Sequence, residues 1–134
     1  MANEATCIES PTKFSRRTVA YNLAVPYGTI MKLTTPDTVA IASADDDVWG
    51  GVCWVEKTNV TDTNDTQLTV ALDGVWGFLT SAAGISIGDD VTIDGTNTIK
   101  IYSTLDNEKG YVGGKAMETT AGGNIIKVRQ NCLA

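Results

Sequence analysis

The 134-residue chain contains no histidine, and its other scarcities narrow the field further. Imidazole is the side chain most often used as a general base near neutral pH and the commonest metal ligand, so histidine triads and ordinary zinc sites are excluded. Three cysteines, Cys7, Cys53 and Cys132, make an odd number with no C-x-x-C spacing. They suggest neither a disulfide framework nor a zinc knuckle, and they fit a reducing compartment. No apolar run approaches the roughly 18 residues of a membrane span, and the opening MANEATCIESPTKFSRR lacks the apolar centre of a signal peptide. Positive charge is short as well: 10 Lys+Arg against 16 Asp+Glu leave a formal charge of −6, the wrong balance for a phosphate-backbone binder. Neither G-x-x-x-x-G-K-[ST] nor a strand-loop-helix G-x-G-x-x-G occurs, and Gly113-Gly114-Lys115 lies among strand-like residues. The expectation is no nucleic-acid partner, no membrane and no cofactor.

What is present is β-sheet vocabulary. Short alternating runs rich in Val, Ile and Thr are separated by Gly, Asp, Asn and Pro, the signature of strands joined by turns. The pattern predicts strands at 19–25, 28–34, 38–43, 47–56, 67–73, 75–80, 90–94, 98–103, 110–118 and 124–129. They would form one all-β domain over residues 19–134, a small barrel or sandwich of short antiparallel strands. Residues 1–18 lack the alternation and read as an extended N-terminal arm, so deleting residues 1–17 is expected to leave the barrel folded.

The chain also resembles itself. VTIDGTNTIKI and MKLTTPDTVAI each read as a hairpin, and an offset of sixty positions superposes them. Gly28 then meets Gly88, Thr38 meets Thr98, and Met31, Leu33, Val39 and Ile41 meet Val91, Ile93, Ile99 and Ile101. A two-residue slip aligns Gly51 with Gly113 and Glu56 with Glu118. The pseudo-repeat spans roughly 26–56 and 86–118.

Candidate chemistry is thin. Asp89, Asp90 and Asp94 could form a cation site or an acid/base pair, but the equivalent positions Thr29, Ile30 and Thr34 build the same element without acid. Turn chemistry accounts for them, because an Asp side chain accepts from nearby backbone amides. Asp45-Asp46-Asp47 could collect a hard cation if carbonyls helped, or serve as a charged loop that keeps a strand edge from pairing. TNVTDTNDTQ, residues 58–67, begins like a calcium loop but lacks its later ligand and glycine. Cys53, with no histidine to activate it, reads as a small core residue.

The remaining features suit recognition. Trp49, Trp54 and Trp76 could anchor an interface or stack on sugar. Strand parity sets Trp54 opposite Trp49 and Cys53, unless a bulge at Gly50-Gly51 intervenes. In the arm, Lys13, Arg16 and Arg17 surround Phe14 ahead of an acidic domain.

Over residues 18–131 the order VPYGTIMKL, WGGVCWVEK, LTVALDGVWGF, AAGISIGDDVTID, GYVGGKAMETTAGG and IIKVR resembles the small capsid decoration, or cement, proteins of tailed phages. The resemblance implies a noncatalytic β-barrel on the outer surface of an assembled icosahedral head, made in the host cytoplasm. It also implies a homotrimer where major capsid subunits meet. On that reading Lys13, Phe14, Arg16, Arg17, Trp49 and Trp54 contact capsid protein or a neighbouring copy. The rival is a virion-associated carbohydrate- or receptor-binding β module.

Overall fold

The computed structural model describes residues 3–45, 47–102 and 112–131. Those residues form eleven strands and no helix: β1 Thr6–Glu9, β2 Phe14–Thr18, β3 Ile30–Thr35, β4 Thr38–Ile41, β5 Trp49–Cys53, β6 Gln67–Ala71, β7 Val75–Thr80, β8 Asp90–Gly95, β9 Thr98–Ile101, β10 Gly114–Ala116 and β11 Ile125–Gln130. The all-β expectation holds.

Strands β2-β4-β3-β5-β6 close into a barrel. The second sheet runs β1-β7-β11-β10-β8-β9, and a parallel pairing of β7 with β9 closes five of its strands into a second ring with β1 attached outside. The two rings repeat each other strand for strand. The β3–β4 and β8–β9 hairpins carry the same register irregularity, between Leu33 and Thr35 in one and between Ile93 and Gly95 in the other. Isolated bridges Val25–Lys57 and Ile85–Thr120 sit at equivalent places, and Gly28 and Gly88 adopt φ of 85° and 88°. Such angles are open to glycine at no steric cost. The repeat thus extends beyond the expected 26–56 and 86–118 to about 14–71 and 75–130, joined by residues 72–74.

Two sequence expectations fail here. Residues 14–18 are not an arm: β2 pairs along its whole length with β6 and at Thr18 with β4. Residues 6–9 likewise form β1, on β7. Conversely, 19–25 is not a strand; Leu23 N–H closes a turn onto Ala20 O at 3.2 Å, and Val19, Val25 and partly buried Leu23 join the first barrel's core. Their apolar alternation belongs to a loop that fills a barrel end. The expected strand over 110–118 is confined, among described residues, to β10.

The smaller apolar cluster fills the first barrel with Val19, Val25, Met31, Val39, Cys53, Leu68 and Val70. The larger joins second-barrel residues Val91, Ile93, Ile99, Ala116, Ile126 and Val128 to Ile30, Trp49, Val52 and Ala71 of the first. The seam between the barrels is therefore continuous with the second core. Polar rivets cross it. Trp49 Nε1 donates to Gln130 Oε1 at 2.9 Å, Gln130 Nε2 donates to Asp73 O at 3.1 Å, and Ile30 N–H donates to Asn97 Oδ1 at 3.0 Å. Gly113 lies against the Trp49 ring so closely that a Cβ there would come within 2.3 Å of ring atoms.

Candidate binding surface

Four aromatic rings gather beside the seam. Trp54 follows β5, Phe14 opens β2, Tyr27 lies in the loop before β3, and Trp76 is in β7 beneath them. Trp54 lies 5.4 Å from Phe14, 5.7 Å from Tyr27 and 6.1 Å from Trp76 between ring centroids, and Tyr27 lies 6.0 Å from Trp76. Trp76 is fully buried, whereas Phe14 is 44% and Tyr27 38% exposed. The result is an apolar surface anchored on a buried tryptophan, the construction common to interface hot spots. The rings tilt by 43–88° to one another; they form no flat platform for a sugar face.

A bulge aims Trp54 here. The β3–β5 register shifts between Ile30 and Lys32, opposite Gly50 and Gly51, and Gly51 takes φ of 106°. The extra residue places Trp49, Val52 and Trp54 with the seam cluster while Cys53 points into the first barrel. Simple parity, which separated Trp54 from Trp49, is overturned by this bulge.

The expected contact residues divide accordingly. Phe14, Trp54 and Arg16 share the outer face: Arg16 pairs with Thr69, whose carbonyl accepts from Trp54 N–H at 3.0 Å. Lys13 is exposed next to them. Arg17 points the other way, with a side chain only 12% exposed, donating to Pro36 O at 3.0 Å and lying 3.6 Å from Asp37. Trp49 is fully buried, edge-on to Phe78 at 5.5 Å. It is a core residue that joins the barrels and presents no surface. Tyr27 was not foreseen, although the sixty-residue offset pairs it with Ile87; both are exposed apolar residues just before a glycine of positive φ.

Ionisable groups around the surface serve structure. Asp73 Oδ1 accepts from the backbone N–H groups of Thr12 and Lys13 at 2.7 and 2.9 Å, and Oδ2 from the Thr12 hydroxyl at 2.7 Å. Partial burial pushes the Asp73 carboxyl up, but these hydrogen bonds and the Lys13 charge outweigh it and hold the group below its ordinary range. Burial raises the Cys7 thiol, with Tyr27 beside it acting in the opposite sense. Burial, reinforced by the Glu56 charge, pushes Cys53 up to about 12. Thiolate chemistry is closed to it.

The acidic clusters are held by turns and ion pairs. Asp89 Oδ2 accepts from Ser86 N–H at 2.9 Å, Asp47 Oδ2 from the N–H groups of Ser43 and Ala44 at 2.9 Å each, and Asp90 pairs with Lys115 at 2.7 Å. Asp45 pairs with Lys100, and Asp46 lies outside the described residues. Asn59 and Asp62 cap their own loop in the same manner.

A second apolar patch lies on the outer face of the second barrel. Ile8 of β1 is 48% and Ile125 of β11 66% exposed, and both flank Gly77, where a Cβ would sit 3.1 Å from Ile125 and 3.7 Å from Ile8. Gly77 alternates along β7 with the buried Trp76 and Phe78, so the patch beside it lies on the face away from the aromatic cluster.

No protein-family model matches this chain, and no curated protein matches it. Among solved structures it is similar to the N base of head fiber gp8.5 in bacteriophage phi29, with a TM-score of 0.51 and 16% identity, covering 91% of this chain and 98% of that one. The likeness is one of fold and extends across both barrels.

Proposed function

We propose that this protein is a noncatalytic structural component of a tailed-phage virion, which binds the outside of the assembled head and cements neighbouring major capsid subunits against internal DNA pressure. The observation that carries the reading is the fold shared with a phage head-fiber base along nearly the whole of both chains. Order and spacing of the sequence motifs lead independently to the same class of protein.

The two apolar surfaces suit such a role. A cement must touch more than one neighbour, and exposed apolar patches on separate faces are what that requires. On this reading the Phe14–Tyr27–Trp54 surface meets capsid protein, and the Ile8–Ile125 patch meets another copy in a homotrimer. A ligand that binds only the assembled shell stabilises it by mass action, and several linked copies multiply weak individual contacts.

The test is co-sedimentation of purified protein with expanded heads assembled without it, alongside its mass by light scattering with and without EDTA. Saturable binding lost in a Phe14→Ala/Trp54→Ala double variant, by a trimer indifferent to chelator, is the expected result. Absence of binding to heads refutes the proposal. Glycan binding abolished by EDTA would replace it with the carbohydrate-binding alternative, which the tilted rings do not favour.

A further inference from the structure

Superposing the two barrels strand on strand sets Phe14, Arg16 and Thr18 of β2 against Val75, Gly77 and Leu79 of β7. The hydrogen bonds fix this alignment: Val19 N–H donates to Thr66 O and Leu72 N–H to Lys13 O, as Thr80 N–H donates to Asn124 O and Gln130 N–H to Gly74 O. Odd-numbered positions of β2 therefore face β6. Phe14, Arg16 and Thr18 turn their N–H and C=O groups to the opposite side, as Thr18 N–H shows by donating to Asp37 O at 2.7 Å.

On β7 that side is filled twice, by β9 at Leu79 and Thr80 and by β1 at Val75–Gly77. On β2 it is filled once. Strand β4 pairs at Thr18, and among the described residues no strand lies beside Phe14 and Arg16. The second barrel thus displays a four-residue strand in a position that the first barrel leaves open.

We infer that the Phe14–Arg16 edge of β2 accepts an extended, acidic segment of a capsid subunit, which pairs with the first barrel in the place that β1 takes on the second. This rests on the function proposed above. Charge decides between occupants. Lys13, just before β2, and Arg16 within it are exposed, and the charged side chains of β2 are all cationic. Asp73 lies by Lys13, and Glu56 and Asp65 line a pocket with Arg16 off the edge. Two copies meeting β2 to β2 would thus bring like charges of the strand itself together, whereas a segment carrying Asp or Glu is attracted. Main-chain bonds supply affinity in such strand addition and alternate side chains supply selectivity; here Phe14 would meet the incoming strand's outward apolar residue.

The experiment compares hydrogen exchange of the full chain free and bound to expanded heads assembled without it, together with the Arg16→Ala and Arg16→Pro variants. Arg16→Ala removes the charged side chain and keeps the backbone N–H. Arg16→Pro also removes an outward N–H that the barrel does not use, a position where an edge strand tolerates proline. The Phe14 and Arg16 amides should exchange freely in the isolated protein and become protected on heads, and Arg16→Pro should bind about tenfold more weakly than Arg16→Ala, the worth of one hydrogen bond at a dry interface. Thermal melts of both variants report folding directly. Binding with these amides still unprotected, or with the two variants equal, overturns the inference and leaves the proposed function standing. Protection already present in the isolated protein overturns it in favour of a second copy. If the wild type fails to bind heads, both readings fall together.

Discussion

Asn97 offers the sharpest test of how the barrels are joined. It sits at the tip of the β8–β9 hairpin with φ of 55° and is 1% exposed, and its Oδ1 accepts the N–H of Ile30 at the start of β3, sixty-seven residues away. Asn97→Gly removes the acceptor and leaves a buried N–H unmet, at a cost of about 1–3 kcal/mol. Asn97→Ala does the same and also sets in the left-handed region a residue without asparagine's tolerance for it, adding about 1–2 kcal/mol. The order of stability should be wild type, then Gly, then Ala. At about 4 °C per kcal/mol for a chain of this size, the melting temperature should fall by about 4–12 °C and 8–20 °C respectively. The repeat provides an internal control, because the matching Asp37 has a side chain 88% exposed. Asp37→Ala should change stability by no more than about 0.5 kcal/mol. Calorimetry and urea titration measure all three. An alanine variant as stable as the wild type, or more stable than the glycine variant, would refute the rivet.

Three further outcomes are expected. Cys53 titrates near 12 when folded against 9.0 in an ordinary setting; a raised value contributes stability below pH 9 that is lost as pH climbs toward 12, up to about 4 kcal/mol. Urea midpoints from pH 8 to 10.5 should therefore fall more steeply for the wild type than for Cys53→Ala, and parallel slopes would contradict the burial argument. Asp73 is shifted in the opposite direction, so its contribution is present above its ordinary 3.8 and is lost as pH falls through the folded value. The stability gap between wild type and Asp73→Asn at pH 7 should close in acid. Finally, deleting residues 1–17 removes β1 and most of β2 and should abolish the cooperative transition and the near-ultraviolet circular dichroism of the buried tryptophans. A folded product would restore the arm that the sequence suggested.

The β3–β4 and β8–β9 hairpins were legible in the sequence because both faces obey alternation and the turns carry their customary residues. The duplication outside 26–56 and 86–118 was hidden. FSRRT of β2 and VWGFLT of β7 hold equivalent places without a shared residue, and in β2 the inward positions are Ser15 and Arg17 while Phe14 faces out. Hydrophobic periodicity is blind to such a strand; only its pairing with β6 and β4 identifies it. The site suffered a similar loss. Phe14 and Arg16 are exposed and Trp54 is partly buried, but one added residue at Gly50-Gly51 exchanged the faces of β5, and no local composition signals which side of a bulge a tryptophan will take. Trp49, which parity set beside Cys53, was counted among surface residues for the large apolar area and single donor of its side chain, when it is the hub of the seam.

The position of β1 has a mechanical consequence. By chain order Thr6–Glu9 belongs to the N-terminal barrel, yet it is stitched to β7 beyond the three-residue connection at 72–74. Beyond the packed seam and its hydrogen bonds, the barrels are thus tethered twice, once covalently and once by a ladder loaded along its length. Swinging one barrel away from the other cannot simply flex the connection; it must first slide β1 along Val75–Gly77 and break its hydrogen bonds together. Under tension the molecule behaves as a strapped rod in place of two beads on a hinge, and a load received at one barrel reaches the other with little stretch between them.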